Sequence, residues 1–165
     1  MRPFLQCLLF GSAALIALYV SLSRVPDIIL YNDTASMPVG FYLRSNDQIA
    51  LGTIVTVEVH EIAHAYALER GVGSNFRLLK RIAATEGNIV CADGAQITVD
   101  GEVRALRSAR DSVGRTLPSW SGCRELSEGQ YLVLGDSADS FDGRYFGIVT
   151  ASNIEGVWRP IFQTR

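Results

Sequence analysis

"QITVDGEVRAL", residues 96–106, decides the fold. Two runs that alternate apolar and polar residues flank Asp100-Gly101. Asp-Gly is the pair that a two-residue hairpin turn selects, because such a turn needs residues that tolerate positive φ. Alternation with a period of two gives each run one face for a core and one for water. Working outward, "NIVCA" (88–92), "FRLLKRIAA" (76–84) and "TIVTVEV" (53–59) read as strands on the N-terminal side. "GQYLVLG" (129–135), "YFGIVT" (145–150) and "NIEGVWRPIF" (153–162) read as strands on the other. Ile28 to Tyr31 and a stretch beginning near Gly40 add two more. Only "HEIAHAYALERG" (60–71) turns helical, with Gly71 as its stop. The expectation is a mainly β chain: an all-β domain with one or two short helices.

The 165 residues suffice for an N-terminal segment and one domain with a modest core. Fifteen basic against seventeen acidic residues give a net charge of −2, and no basic run marks a nucleic-acid partner. Residues 4–22, FLQCLLFGSAALIALYVSL, carry no charge and approach the ~20 residues of a membrane-crossing helix. Arg2 precedes them, and Ser21-Leu22-Ser23 sets small residues where a signal-peptide cleavage site has them. Residues 1–23 therefore read as an apolar helix that is either a cleaved signal peptide or a retained anchor. Residues 24–165 form the domain it exports. A buried helix of a soluble protein is the bland alternative, disfavoured by the terminal position. Cys91 and Cys123 are the only cysteines outside the apolar segment. In an oxidising compartment they can bridge, which contributes about 3–4 kcal/mol by chain entropy; otherwise they are two separate thiols.

Three stretches carry possible chemistry. In "NDTASMPVGFYL" (32–43), Ser36 sits among small residues, and Pro38 keeps Met37 out of helical conformation, so the serine belongs to a turn. In "FRLLKRIAA", alternation puts Lys80 on the face of Phe76, Leu78 and Ile82, with Arg77, Leu79, Arg81 and Ala83 opposite. An ammonium on an apolar face loses hydration, its pKa falls toward neutrality, and a neutral lysine can act as general base to a serine. The bland reading is a lysine whose stem crosses the face while its head reaches water. In "LGDSADSFDGRYFG" (134–147), Asp142 and Arg144 are spaced to fix a tight turn by a charge-assisted bond. The acidic spacing there is not that of a calcium loop.

Taken in order, "NDTASMPVGFYL", "LLKRIAA" and "GDSADSFDGRYFG" resemble the type I signal peptidase family, and within it the conjugative-transfer, TraF-type branch. The likeness runs from about Tyr31 to the C-terminus, and "GRTLPSWSGC" (114–123) also resembles that branch. It implies a signal-peptidase-like fold, with Ser36 as nucleophile and Lys80 as its general base. It implies that Asp142 supports the site with Arg144 as its partner, and that Ser140 hydrogen-bonds the lysine amine. It implies, too, that Thr34 and the Ser36 N–H donate to the oxyanion. Two departures stand out: Thr85-Glu86-Gly87-Asn88 replaces the family's L-P-G-D, and the aspartate-rich loop is about one residue shorter than in the secretory enzymes.

His60-Glu61-Ile62-Ala63-His64 matches H-E-x-x-H, the zinc-protease pattern. A catalytic zinc needs three protein ligands, the chain has no third histidine, and Glu69 lies on the same short helix. The motif is read as accidental. The expected protein is thus a Ser/Lys-dyad serine endopeptidase needing no cofactor or metal, at the periplasmic face of an inner membrane. Its expected partners are an exported pilin-like peptide, which it cleaves or cyclises during plasmid transfer, the membrane, and conjugation machinery. The rivals are a zinc metallopeptidase using His60, Glu61 and His64, and a non-catalytic membrane-tethered component of a secretion apparatus.

Overall fold

The computed structural model describes residues 27–58, 63–69 and 77–163. The apolar segment 4–22, together with His60, Glu61 and Phe76, lies outside them. The described chain is mainly β. Its elements in order are β1 (Ile29–Asn32), β2 (Gly40–Ser45), β3 (Ile54–Glu58), α1 (His64–Glu69), β4 (Arg77–Ala84), β5 (Ile89–Asp93), β6 (Gln96–Val99) and β7 (Glu102–Leu106). Then follow β8 (Gly122–Glu125), β9 (Gln130–Leu134), α2 (Gly143–Phe146), β10 (Ile148–Thr150), a 3-10 turn (Ala151–Asn153) and β11 (Ile154–Gln163).

These strands make two antiparallel sheets. The larger runs β1-β2-β11-β3-β4-β9-β10, and the smaller runs β7-β6-β5-β8. β4 and β9 are hydrogen-bonded neighbours although residues 85–129, with the whole smaller sheet, separate them in the chain. That sheet is therefore an insertion rising from two adjacent strands. Its hairpin forms as its sequence demands: Val99 pairs with Glu102, and Asp100 and Gly101 turn at φ 52° and 82°. The Asp100 carboxylate accepts from Ile89 N (2.8 Å) and Asn88 Nδ2 (2.7 Å), while Asn88 Oδ1 accepts from Thr85 N (2.9 Å). The altered 85–88 stretch is thus a turn closed by its own asparagine.

Alternation sorts the core. Val55, Val57, Leu78, Ile82 and Val133 belong to one buried cluster, while Ile54, Leu79 and Trp158 belong to another with Met37 and Tyr42. Leu132 and Leu134 join a third, with Val90, Ile97 and Val99, that fastens the two sheets together.

Two elements differ from expectation. Tyr145 and Phe146, expected to open a strand, are helical, and the strand starts at Ile148. The cause is local: Asp142 caps α2, accepting from Arg144 N at 3.0 Å. β8 went unpredicted because "GCRE" has no apolar alternation, and all four residues are exposed. Pairing with β5 in register Cys91↔Cys123 holds it, and a disulfide joins those two residues with Cα atoms 4.0 Å apart.

The disulfide closes a span of 32 residues, so removing it should cost about 3–4 kcal/mol of stability in the chain-entropy model. Urea unfolding of wild type against Cys91→Ala/Cys123→Ala measures this, with non-reducing peptide mapping to check the bond itself.

Candidate active site

The site begins with a lysine that has little access to water. Lys80 lies in the middle of β4, 1% exposed, opposite Val55 and two residues from Leu78 and Ile82. Burial lowers its pKa from 10.5 to about 8; Asp142 pulls the other way, and Arg144 adds to the lowering. Its Nζ donates to Ser36 Oγ at 3.0 Å. The two boxes, 44 positions apart in sequence, meet because β4 packs beneath the loop joining β1 to β2.

The loop is held from both ends. Met37 is buried in the core, and Tyr42 Oη donates to Pro38 O at 2.6 Å. Asn32 Nδ2 donates to the carbonyls of Thr34, Met37 and Pro38. Ser36 O accepts from Asp136 N (2.8 Å) and, longer, from Ser137 N (3.4 Å). Asp136 also makes a two-pronged ion pair with Arg81, at 3.0 and 2.8 Å. The three stretches therefore fasten one another pairwise: 36 to 80, 81 to 136, and 136 to 36.

The third stretch is built round a buried ion pair. Asp142 and Arg144 are 0% and 4% exposed, with Arg144 Nε 3.1 Å from Asp142 Oδ1. Arg144 donates further to the carbonyls of Gly135 (2.9 Å), Ser137 (2.8 Å) and Ala138, which closes the 135–142 loop on itself. Asp142 accepts from Gly135 N at 2.7 Å. Burial raises the Asp142 pKa, and Arg144 opposes that rise. The 107–120 segment braces α2 from outside: Trp120 Nε1 donates to Gly143 O (2.9 Å) and Ser108 N to Tyr145 Oη (3.2 Å).

Two expected contacts differ. Lys80 makes no hydrogen bond to Ser140, whose buried hydroxyl lines the same cleft and instead bonds Asp142, opposing the rise that burial imposes on the carboxyl's pKa. Thr34 Oγ1 lies 3.1 Å from Ser36 Oγ, but its proton goes to Asn32 Oδ1 (2.9 Å) rather than toward solvent. Sequence reasoning passed over Asn32, Asp136 and Arg81. Of these, only Asn32 leaves a signal, since Asn-Asp-Thr after a strand favours side-chain bonding to the following turn. Of the zinc pattern, only His64 falls in a described element, at the start of α1, and its side chain is not described.

Ser36, Lys80, Thr34 and Ser140 open onto a cleft of about 740 Å³. Ile29, Tyr31, Leu78, Leu79 and Phe141 give it apolar walls, with Arg77 and Asp139 at its rim. A serine hydroxyl touching a dehydrated amine in the lining of a partly apolar cleft is an arrangement that can be acylated on serine.

The family model for signal peptidase, peptidase S26, matches residues 4–162, and the chain belongs to that family of serine-type peptidases. Two relatives, each a plasmid transfer protein TraF from Escherichia coli, are similar over most of their length. One is 34% identical over 142 residues, covering 79% of this chain and 80% of the relative. The other is 35% identical over 167 residues, covering 92% and 90%. A signal peptidase I from Enterococcus faecalis V583 is 21% identical, with a TM-score of 0.41 over 68% of this chain and 98% of its own.

A lysine with a lowered folded-state pKa binds fewer protons than the same lysine unfolded between pH about 8 and 10.5. Stability should therefore rise with pH across that window and be most impaired below it. At pH 7, Lys80→Met should be more stable than wild type by about 1–3 kcal/mol, with the advantage fading toward pH 10.5; paired urea titrations measure it. Gly135→Ala should disable the site, since a Cβ there would lie 2.1 Å from Ser140 Oγ and 2.7 Å from Ser36 O. The check is loss of labelling by a serine-directed acylating probe.

Proposed function

We propose that Ser36 and Lys80 form a catalytic dyad and that the protein is an endopeptidase acting on an exported pilin-like subunit. The observation that carries the reading is the 3.0 Å contact between the Ser36 hydroxyl and an amine that burial holds near pKa 8. Neutral Lys80 accepts the Ser36 proton as Oγ attacks the scissile carbonyl. The backbone N–H of Ser36 is the oxyanion donor in this reading. Protonated Lys80 then passes its proton to the leaving amine, and an acyl-enzyme remains on Ser36. Water releases a linear product; a substrate amine releases a ring. The apolar cleft walls suit small side chains near the cut bond.

The apolar run 4–22 and the Cys91–Cys123 pair support a location at the periplasmic face of an inner membrane. The relatives' names, plasmid transfer proteins, support a conjugative setting.

The test is cleavage of a candidate pilin in membranes, read by mass so that a cyclic product, lighter by one water, is told from a linear one. Ser36→Ala and Lys80→Ala should each lower the rate roughly 1,000-fold or more. His60→Ala and a chelator should leave it within about twofold, because the reading gives metal no part. Activity should fall as pH drops through about 8, where Lys80 gains its proton. An active Ser36→Ala beside an inactive His60→Ala would transfer the chemistry to zinc.

A further inference from the structure

Asn32 takes no part in the chemistry above, yet it is buried, 6% exposed, at the end of β1. Both ends of its carboxamide are committed to the nucleophile loop. Nδ2 donates to Thr34 O (2.9 Å), Met37 O (3.0 Å) and Pro38 O (3.1 Å). Three carbonyl oxygens around one atom require the amide nitrogen there, which fixes the orientation of the group and turns Oδ1 to Thr34. Oδ1 accepts from Thr34 Oγ1 at 2.9 Å and from Thr34 N at 3.4 Å. A threonine hydroxyl has one proton. With that proton on Asn32, Thr34 can meet Ser36 Oγ, 3.1 Å away, only as an acceptor.

We propose that Asn32 is the positioning residue of the nucleophile. It ties down the backbone on both sides of Ser36 and fixes the direction of a hydrogen-bond chain that ends on Ser36 Oγ. The inference rests on the dyad reading. While Lys80 is charged, each donor in the row has one acceptor: Lys80 to Ser36, Ser36 to Thr34, Thr34 to Asn32. Once Lys80 is neutral, rotation about the Ser36 Cβ–Oγ bond turns its proton toward Nζ, with no movement of Oγ or of the backbone. Without Asn32, Thr34 is free to aim its own proton at Ser36 Oγ, where it occupies the lone pair needed for attack. The loop loses three anchors at the same time.

The experiment uses the full chain in membranes and one peptide substrate, with Asn32→Ala, Thr34→Val, their combination, and Ser36→Ala. Asn32→Ala should lower kcat about 10- to 100-fold and leave KM within about twofold, as misplacement of a nucleophile does. Thr34→Val should cost several-fold alone but less than about twofold in the Asn32→Ala background, because the asparagine acts partly through that hydroxyl. Thermal unfolding midpoints accompany each variant; should Asn32→Ala not fold, Asn32→Ser replaces it with the same expectations. A kcat within about twofold of wild type, a loss expressed in KM, or full additivity with Thr34→Val overturns the proposal. An active Ser36→Ala sinks the dyad reading instead, whereas an inactive Ser36→Ala beside an unimpaired Asn32→Ala sinks only the role of Asn32.

Discussion

Dehydration of a single amine governs this molecule. A lysine in the middle of a central strand, closed in by Val55, Leu78 and Ile82, cannot keep its full hydration shell. Its neighbours refine the result. Asp142 alone would favour the protonated amine, and Arg144 beside it offsets that pull. A buried ion pair contributes little net stability and is costly to break. Here the pair also keeps a carboxylate close to the lysine while its arginine opposes the carboxylate's pull.

Geometry is maintained by a closed triangle of contacts and not by any one element. The serine loop touches β4 through Lys80, β4 touches the aspartate loop through Arg81, and that loop returns to the carbonyl of Ser36 through the Asp136 N–H. Two of the three sides are made by groups other than the Ser36 hydroxyl and the Lys80 amine. Ser36 Oγ and Lys80 Nζ therefore inherit their separation from backbone and guanidinium contacts made by neighbouring groups. Gly135 is required by the same crowding: the aspartate loop approaches Ser140 and Ser36 too closely for a side chain.

Much of this was legible in the sequence. Asp100-Gly101 announced its hairpin because that turn depends on two residues and nothing distant. The alternation of β4 told which face Lys80 would share, and with it the direction of the pKa shift. β8 was hidden because an exposed edge strand carries no hydrophobic period; what holds it is a partner strand and a disulfide. The start of α2 was hidden because "YFGIVT" alternates plausibly, and a cap formed by an aspartate three residues earlier overrides that pattern. The partners of Ser140 and Thr34 depended on hydroxyl directions that only the neighbouring side chains determine. Asn32, which sets one of them, is polar, lies at a strand end and resembles an ordinary turn former.

The smaller sheet leaves β4 and rejoins at β9, two strands that lie side by side. Its entry and exit are thus neighbours, and whatever lies between them can lengthen, shorten or change shape without moving the register beneath. This lobe is the part of the molecule most open to evolutionary remodelling. Its one obligation is to keep supplying the struts, from Arg107, Ser108 and Trp120, that steady the arginine's helix.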